Sequence, residues 1–357
     1  MADLVVHAGL QAPGSRANGA RLLTLLLLVA LVGASLMSLA IGASGTSLWR
    51  AFNDLVSGQS LSLRDQVVLW DIRVPRTVLG VLVGASLAMS GAVLQGLFRN
   101  PLADPGIVGV SSGAGLGAIS AIVLGSFLPA VLAERLGYYL VPVAAFLGGW
   151  ASTLVLYGIS TRKGRTSVGT MLLAGIALGA LTGALSGIMV YVADDQQLRD
   201  LTFWGMGSLA GATWTKVIAA TPLIMVAMLG TPFLARALNG LSLGEASAAH
   251  IGIPVQRMKR LAILAVAAAT GASVAVSGGI GFVGIVVPHL LRLMVGPDHR
   301  YLLINSGLLG AALLLIADVI SRTIIAPAEL PIGIVTATLG GPFFLWILLR
   351  QRGLVDM

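Results

Sequence analysis

The chain is poor in charged residues and has no cysteine. Of its 357 residues, 10% are charged and 57% are hydrophobic, whereas about 25% of the residues in a soluble domain are charged. So few charges cannot cover a water-facing surface, and we therefore expect an integral membrane protein. Without cysteine, this chain forms no disulfide, performs no thiol catalysis and ligates no iron–sulfur cluster.

Motifs for enzymatic chemistry are also missing. No GxxxxGK[ST] segment is present, which argues against nucleotide binding through a P-loop. The histidines lack the spacing of a zinc site and do not belong to an evident Ser/His/Asp set within the apolar runs. They are His7, His250, His289 and His299. We therefore expect neither a metal site nor an intramembrane enzyme.

Carboxylates are rare inside the apolar runs, and Asp318 is the main candidate. A transporter driven by an ion gradient usually needs such groups to hold the ion. Asp318 and Arg322 are four residues apart, which predicts an ion pair near a helix end. An ion-coupled secondary transporter is thus an alternative that the sequence disfavours, and the energy source is expected outside this chain.

Ten apolar runs, most of them near 20 residues in length, predict an all-α, polytopic membrane protein. Residues 1–21 and 350–357 are expected to be cytoplasmic tails. A cleaved signal peptide is the alternative for the first run, which is longer than a usual apolar signal region. The predicted spans are 22–41, 74–97, 107–128, 139–159, 168–193, 217–238, 261–276, 280–295, 302–325 and 332–349.

The net charge of +8 is interpreted as membrane topology and not as nucleic-acid binding. Ten spans place both termini on one side. With the termini in the cytoplasm, most basic loop residues, including the turn at 162–165, also lie inside, as the positive-inside rule requires. Arg73, Arg76 and Arg322 then lie on the outer side, where topology does not explain them.

Those three arginines admit two interpretations. They are either interfacial anchors whose long side chains reach the headgroups, or a basic rim that binds an acidic partner.

Residues 239–260 are the second candidate site. Ser242 is predicted to cap a short helix with Glu245 in a capping box, and Gly252 ends that helix. The segment is either an ordinary helical loop or a cytoplasmic projection that inserts into a motor subunit.

Pairs of glycines four residues apart recur along the chain. This spacing lets helix backbones approach closely in lipid, so we expect helix packing, with a glycine-lined route for a large ligand as the alternative. The series are Gly80/Gly84, Gly113/Gly117, Gly179/Gly183/Gly187 and Gly207/Gly211.

Several segments together resemble the FecCD family of permeases, the membrane subunits of type II ABC importers. The similarity extends over almost the whole chain beyond its first residues. The segments are RVPR (73–76), SGAVLQGLFRNPLADPGIVGVSSGAG (90–115), LGEASAAHIGI (243–253), SGGIGFVGIVVPHLLR (277–292) and AELPIGIVTATLGGPFFLWIL (328–348).

The resemblance implies a homodimer of ten-helix subunits in the bacterial inner membrane, with an inverted repeat of spans 2–5 against spans 7–10. It implies two partner ATPase subunits that bind ATP and Mg²⁺, a periplasmic binding protein, and no cofactor on this chain. Arg73, Arg76 and Arg322 would contact glutamates of the binding protein. The ATPases would contact residues 239–260, which would hold the coupling helices and include Gly244, Glu245, Ala249 and Gly252.

The family's cargoes are haem, ferric siderophores and cobalamin. Within it, residues 193–209 (ADDQQLRDLTFWGMGSL) resemble the haemin permeases. Haem is therefore the expected cargo, and a ferric siderophore or cobalamin stays open as the alternative. His289 lies in a segment shared across the family, so its presence does not indicate a haem ligand.

Overall fold

The computed structural model describes residues 13–42 and 46–355. The described chain is almost entirely helical, with one two-stranded antiparallel hairpin. A π-helical turn, Val67–Arg73, joins α3 to α4. The elements are α1 (Pro13–Ala40), α2 (Leu48–Val56), α3 (Leu63–Gln66), α4 (Val74–Phe98), α5 (Val110–Leu124), α6 (Ala130–Leu136), α7 (Leu140–Ser160), β1 (Thr161–Arg162), β2 (Arg165–Thr166), α8 (Val168–Val192), α9 (Asp195–Met206), α10 (Trp214–Gly230), α11 (Ala235–Leu241), α12 (Glu245–His250), α13 (Val255–Ser277), α14 (Val283–Val295), α15 (His299–Thr323) and α16 (Ile332–Val355).

Within residues 13–42 and 46–355, eight helical stretches are long and apolar enough to cross a membrane. Two shorter apolar helices, α14 and the first part of α16, correspond to predicted spans eight and ten. Each predicted span overlaps one of these helices, which confirms the all-α, polytopic fold class. The number of ten crossings and the inverted repeat stay predictions.

Several helices begin earlier than the apolar pattern indicates, and α1 starts at Pro13 instead of 22. The helix of span two starts at Leu63, because α3 and the π-helical turn run into α4 without a break. The helix of span seven starts at Val255 instead of 261. Its first turns carry basic side chains, which hid them from a search for apolar runs. Residues 255–260 therefore belong to α13.

Helix α4 lies at the centre of the bundle and packs against α10, α13, α14 and α15. In an apolar 18-residue stretch of this helix, 89% of the residues are buried. The α4–α15 crossing is close because glycines meet there. A β-carbon added to Gly84 would lie 2.5 Å from the carbonyl oxygen of Gly310.

Helix α8 lies at the periphery. Only 6% of the residues in its apolar stretch are buried. Its glycine series faces open space: a β-carbon added to Gly183 or Gly187 would meet nothing within 4 Å, and one added to Gly179 would meet only the Ser112 hydroxyl at 3.8 Å. This series therefore packs no helix of the described chain closely.

Candidate functional site

The structure brings together the three arginines that the sequence placed on the outer side. Arg73 ends the π-helical turn, Arg76 lies in the first turn of α4 directly after Pro75, and Arg322 lies in the last turn of α15. We call these three residues the outer arginine cluster. All three are buried, with 3%, 5% and 6% exposure respectively.

Arg76 is held between two carboxylates. Its Nη2 donates to Oδ1 of Asp318 at 2.9 Å, and its Nη1 donates to Oε1 of Glu329 at 2.9 Å. Nη2 also reaches the second oxygen of Glu329 at 2.9 Å, so the Glu329 contact is bidentate. The Asp318 side chain is 1% exposed and that of Glu329 is 37% exposed. Removing either partner of a buried pair typically costs about 3–5 kcal/mol, so the Arg76–Asp318 pair is a structural element of the fold.

The side chains of Arg73 and Arg322 both reach the C-terminus of α1. The last carbonyls of a helix have no intrahelical donor, and α1 has no basic residue in its own last turn. Arg73 donates to the carbonyl of Leu39 at 2.6 Å, and Arg322 donates to the carbonyl of Ser38 at 2.9 Å. Arg322 also lies 3.4 Å from Asp318, which confirms the predicted i, i+4 pair.

A cavity of about 180 Å³ opens beside the cluster, and the three arginines and Glu329 are among its lining residues. Three guanidinium groups and the carboxylates of Asp318 and Glu329 meet at this site. Its arginines are not exposed anchors, because their side chains point into the protein. Whether a binding protein contacts them stays a prediction.

Helix α12 lies at the opposite end of the bundle, where Gly244 is close to Arg99 at the C-terminus of α4. Gly244 has a φ of +104° and Gly252 a φ of +82°, a region that glycine adopts without strain. Ala248 is buried, whereas Ala249 is exposed. The predicted capping box is wrong: the N-cap is Gly244, and the Ser242 hydroxyl donates to the carbonyl of Asn239 instead.

Two large apolar side chains that were not predicted flank α12. Leu243 is 69% exposed and Ile251 is 58% exposed. These two side chains add apolar area to the surface around α12. The apolar residues within the segment 243–253 could have indicated them, although alternation with alanine and glycine weakens that signal.

Glu245 is tied to the body of the protein by Lys259. The Lys259 ammonium lies 2.6 Å from Oε1 of Glu245 and donates to the carbonyl of Thr166 at 2.8 Å. Lys259 itself is 1% exposed. Its position within a run of basic residues made it look like one more topology charge, so sequence reasoning gave it no role.

A second polar group lies at the same end of the bundle. The Asn239 amide donates to Oδ1 of Asp298 at 2.7 Å, and its own oxygen accepts from the backbone N–H of His299 at 2.9 Å. Burial disfavours the charged form of Asp298, but hydrogen bonds from Arg300 and Asn239 outweigh it and lower the pKa of Asp298 to about 2. These contacts fix the start of α15 next to α11.

Comparison with known proteins gives one family over nearly the whole chain. The model of the FecCD transport family matches residues 14–350. The chain is 48% identical to the hemin transport system permease protein HmuU of Yersinia pestis over 285 residues, which cover 80% of this chain and 84% of that protein.

Cobalamin permeases are similarly close. The cobalamin import system permease protein BtuC of Halobacterium salinarum is 47% identical over 80% of this chain and 74% of its own length. The vitamin B12 import system permease protein BtuC of Salmonella paratyphi A is 43% identical over 94% of this chain and 97% of its own length.

Solved structures agree with the fold. An inward-facing conformation of a metal-chelate type ABC transporter superposes with a TM-score of 0.80 and 32% identity, covering 92% of this chain and 98% of that one. PsaBC from Streptococcus pneumoniae, solved with a Fab, shares the fold at a TM-score of 0.53 and 16% identity, over 79% of this chain and 92% of that one.

Proposed function

We propose, from the premise that this chain belongs to the FecCD transport family, that it is the permease of an importer that carries haem from the periplasm to the cytoplasm. The observation that carries the choice of cargo is the 48% identity to a hemin permease over four-fifths of the chain. Cobalamin is the second candidate, because the cobalamin permeases match at 47% and 43% identity.

In this proposal two copies of the chain form a homodimer in the inner membrane, with both termini in the cytoplasm. The glycine series of α8 supports contact with a second copy of the chain. Such spacing permits close approach of helix backbones, and no described helix of the same chain approaches α8 closely at Gly183 or Gly187. The cargo would pass between the copies by alternating access. The chain would bind no cofactor and perform no bond chemistry.

The outer arginine cluster and α12 would contact the partners. The arginine-lined cavity of about 180 Å³ suits acidic side chains of a binding protein. Gly244, Glu245, Ala249 and Gly252 would lie in the contact with partner ATPases, which hold ATP and Mg²⁺. The exposed side chains of Leu243 and Ile251 would add apolar area to that contact.

Reconstitution into proteoliposomes with the partner ATPases and binding protein tests the function and its cargo. We expect ATP-dependent uptake of haem, and haem-loaded binding protein is expected to stimulate ATP hydrolysis more than binding protein offered cobalamin or a ferric siderophore. Stimulation by cobalamin alone would transfer the proposal to the second candidate. Uptake that ignores ATP and stops when ion gradients are dissipated would contradict an ATP-driven importer.

The substitution Glu329→Gln tests docking at the cluster. Charge reversal of Arg76 would disrupt its buried pair with Asp318, whereas Glu329 is partly exposed. Removing its charge makes the site less negative and leaves Arg76 available, so we expect tighter docking of the binding protein, by roughly fivefold or about 1 kcal/mol, with a steeper dependence on salt.

Glu134→Gln is the matched control, because it removes the same charge from an exposed residue of α6 in a predicted outer loop. Titration of binding protein onto the detergent-solubilised complex measures both affinities. Equal affinities for the two variants would show that the outer arginine cluster does not belong to the docking surface.

A further inference from the structure

Lys259 is a buried cation with two partners on different elements. Among the described residues it is one of the largest fully buried side chains. Burying an ammonium group is costly unless it is paired and hydrogen-bonded. Here one hydrogen bond goes to Glu245 at 2.6 Å and another to the carbonyl of Thr166 at 2.8 Å. The lysine therefore holds these two residues at a fixed separation.

Two side chains of α13 form hydrogen bonds with the backbone carbonyl and N–H of Thr166. Its carbonyl accepts from Lys259, and its N–H donates to Oε1 of Gln256 at 2.8 Å. Lys259 and Gln256 lie three residues apart on α13 and so share one face of the helix. This double contact fixes the β1–β2 hairpin on the first turns of α13.

The hairpin leads directly into α8. Thr166 is followed by Ser167, whose hydroxyl caps α8 by accepting from the N–H of Thr170. The N–H of Ser167 donates to the carbonyl of Ser160 at 2.9 Å, which ties the start of α8 to the end of α7. A displacement of Thr166 is therefore a displacement of the base of α8.

We propose that Lys259 is the positioning residue that passes a displacement of α12 to the hairpin and to α8. This inference rests on the proposed function, in which ATPases contact α12 and a second copy covers α8. The Glu245 side chain is 43% exposed, so it faces a partner on one side and Lys259 on the other. Lys259 touches neither ATP nor cargo, and it acts through Glu245 and Thr166.

Four variants test the inference in the reconstituted complex of chain, ATPases and binding protein. Lys259→Met keeps the length of the side chain and removes its charge, Lys259→Arg restores the charge, and Gln256→Leu removes only the bond to the N–H of Thr166. Arg236→Met is the control, because Arg236 is exposed on α11 and lies outside residues 239–260. Two quantities are measured for each complex: the amount of haem imported per ATP hydrolysed, and the temperature of thermal unfolding.

We expect this ratio to fall at least about fivefold in Lys259→Met, to be largely restored in Lys259→Arg, to fall less in Gln256→Leu, and to be unchanged in Arg236→Met. A loss of general stability alone would lower import and hydrolysis together and leave their ratio unchanged. If only apolar packing of the side-chain stem mattered, Lys259→Met would keep the ratio of the unsubstituted complex.

An unchanged ratio in Lys259→Met would overturn the inference. If that variant does not fold, an unchanged ratio in Gln256→Leu would overturn it instead. Absence of ATP-dependent import by the unsubstituted complex would contradict the proposed function itself, whereas import with unchanged ratios in the variants would contradict only the role of Lys259.

Discussion

Helices α4 and α8 have the same small-residue spacing and opposite surroundings. In their apolar stretches 89% of α4 but only 6% of α8 is buried. Gly84 of α4 meets Gly310 of α15, so two backbones touch. Gly183 of α8 meets nothing within 4 Å. Small residues four apart permit close approach, and the surface that faces them decides whether the approach happens within the chain.

The glycines of α4 and α8 are expected to respond differently to one added methyl group. Gly84→Ala places a β-carbon 2.5 Å from the Gly310 carbonyl oxygen and 2.9 Å from the Cα of Ala311. Neither backbone atom can move away without shifting a helix, so we expect a loss of about 1–3 kcal/mol in the free energy of unfolding. Denaturation of the detergent-solubilised chain by SDS titration measures it.

Gly183→Ala is the matched control, with the same added methyl group in open space. Its free energy of unfolding should change by less than about 1 kcal/mol, and the better helix propensity of alanine favours a small gain. Equal losses in the two variants would show that the difference in burial between α4 and α8 has no energetic counterpart.

A larger side chain at the same α8 position sharpens the comparison. Gly183→Leu should leave the single chain folded but should keep two copies apart, raising the Kd of the homodimer at least about tenfold, or ~1.4 kcal/mol. Light scattering after size exclusion in detergent measures the mass of the assembly.

Gly158→Leu on α7 is the control for this variant, since its β-carbon also meets nothing within 4 Å and Gly158 belongs to none of the GxxxG series. A dimer that persists in Gly183→Leu, or that is lost in both variants, would contradict the assignment of α8 to the dimer contact.

The helices themselves were predictable because bilayer-length apolar runs are a strong local signal. The errors occurred where polar residues belong to a helix. The π-helical turn Val67–Arg73 extends span two, and the basic start of α13 lengthens span seven. The glycine spacing predicted close packing equally for Gly84 and Gly183, because the residue opposite each one is distant in sequence.

In the candidate site, contacts between residues close in sequence were predictable and contacts between distant residues were not. The Asp318–Arg322 pair is local and was predicted from its spacing, whereas the contact of Arg76 with Asp318 joins residues that are 242 positions apart. The cap at α12 was wrong because Gly244, and not Ser242, has the geometry that begins that helix. Lys259 was not predicted because its burial depends on the hairpin, whose residues have the pattern of a basic turn.

The bidentate contact between Arg76 and Glu329 has a consequence for any external acid. Arg76 already has a full set of carboxylate partners, so an arriving carboxylate must replace Glu329 and cannot simply be added. Such an exchange trades one ion pair for a similar one, and its net free energy is small. A partner held by exchange also leaves readily, because Glu329 stays tethered nearby and returns to its position. The outer arginine cluster would thus suit a partner protein that must dissociate after every transport cycle.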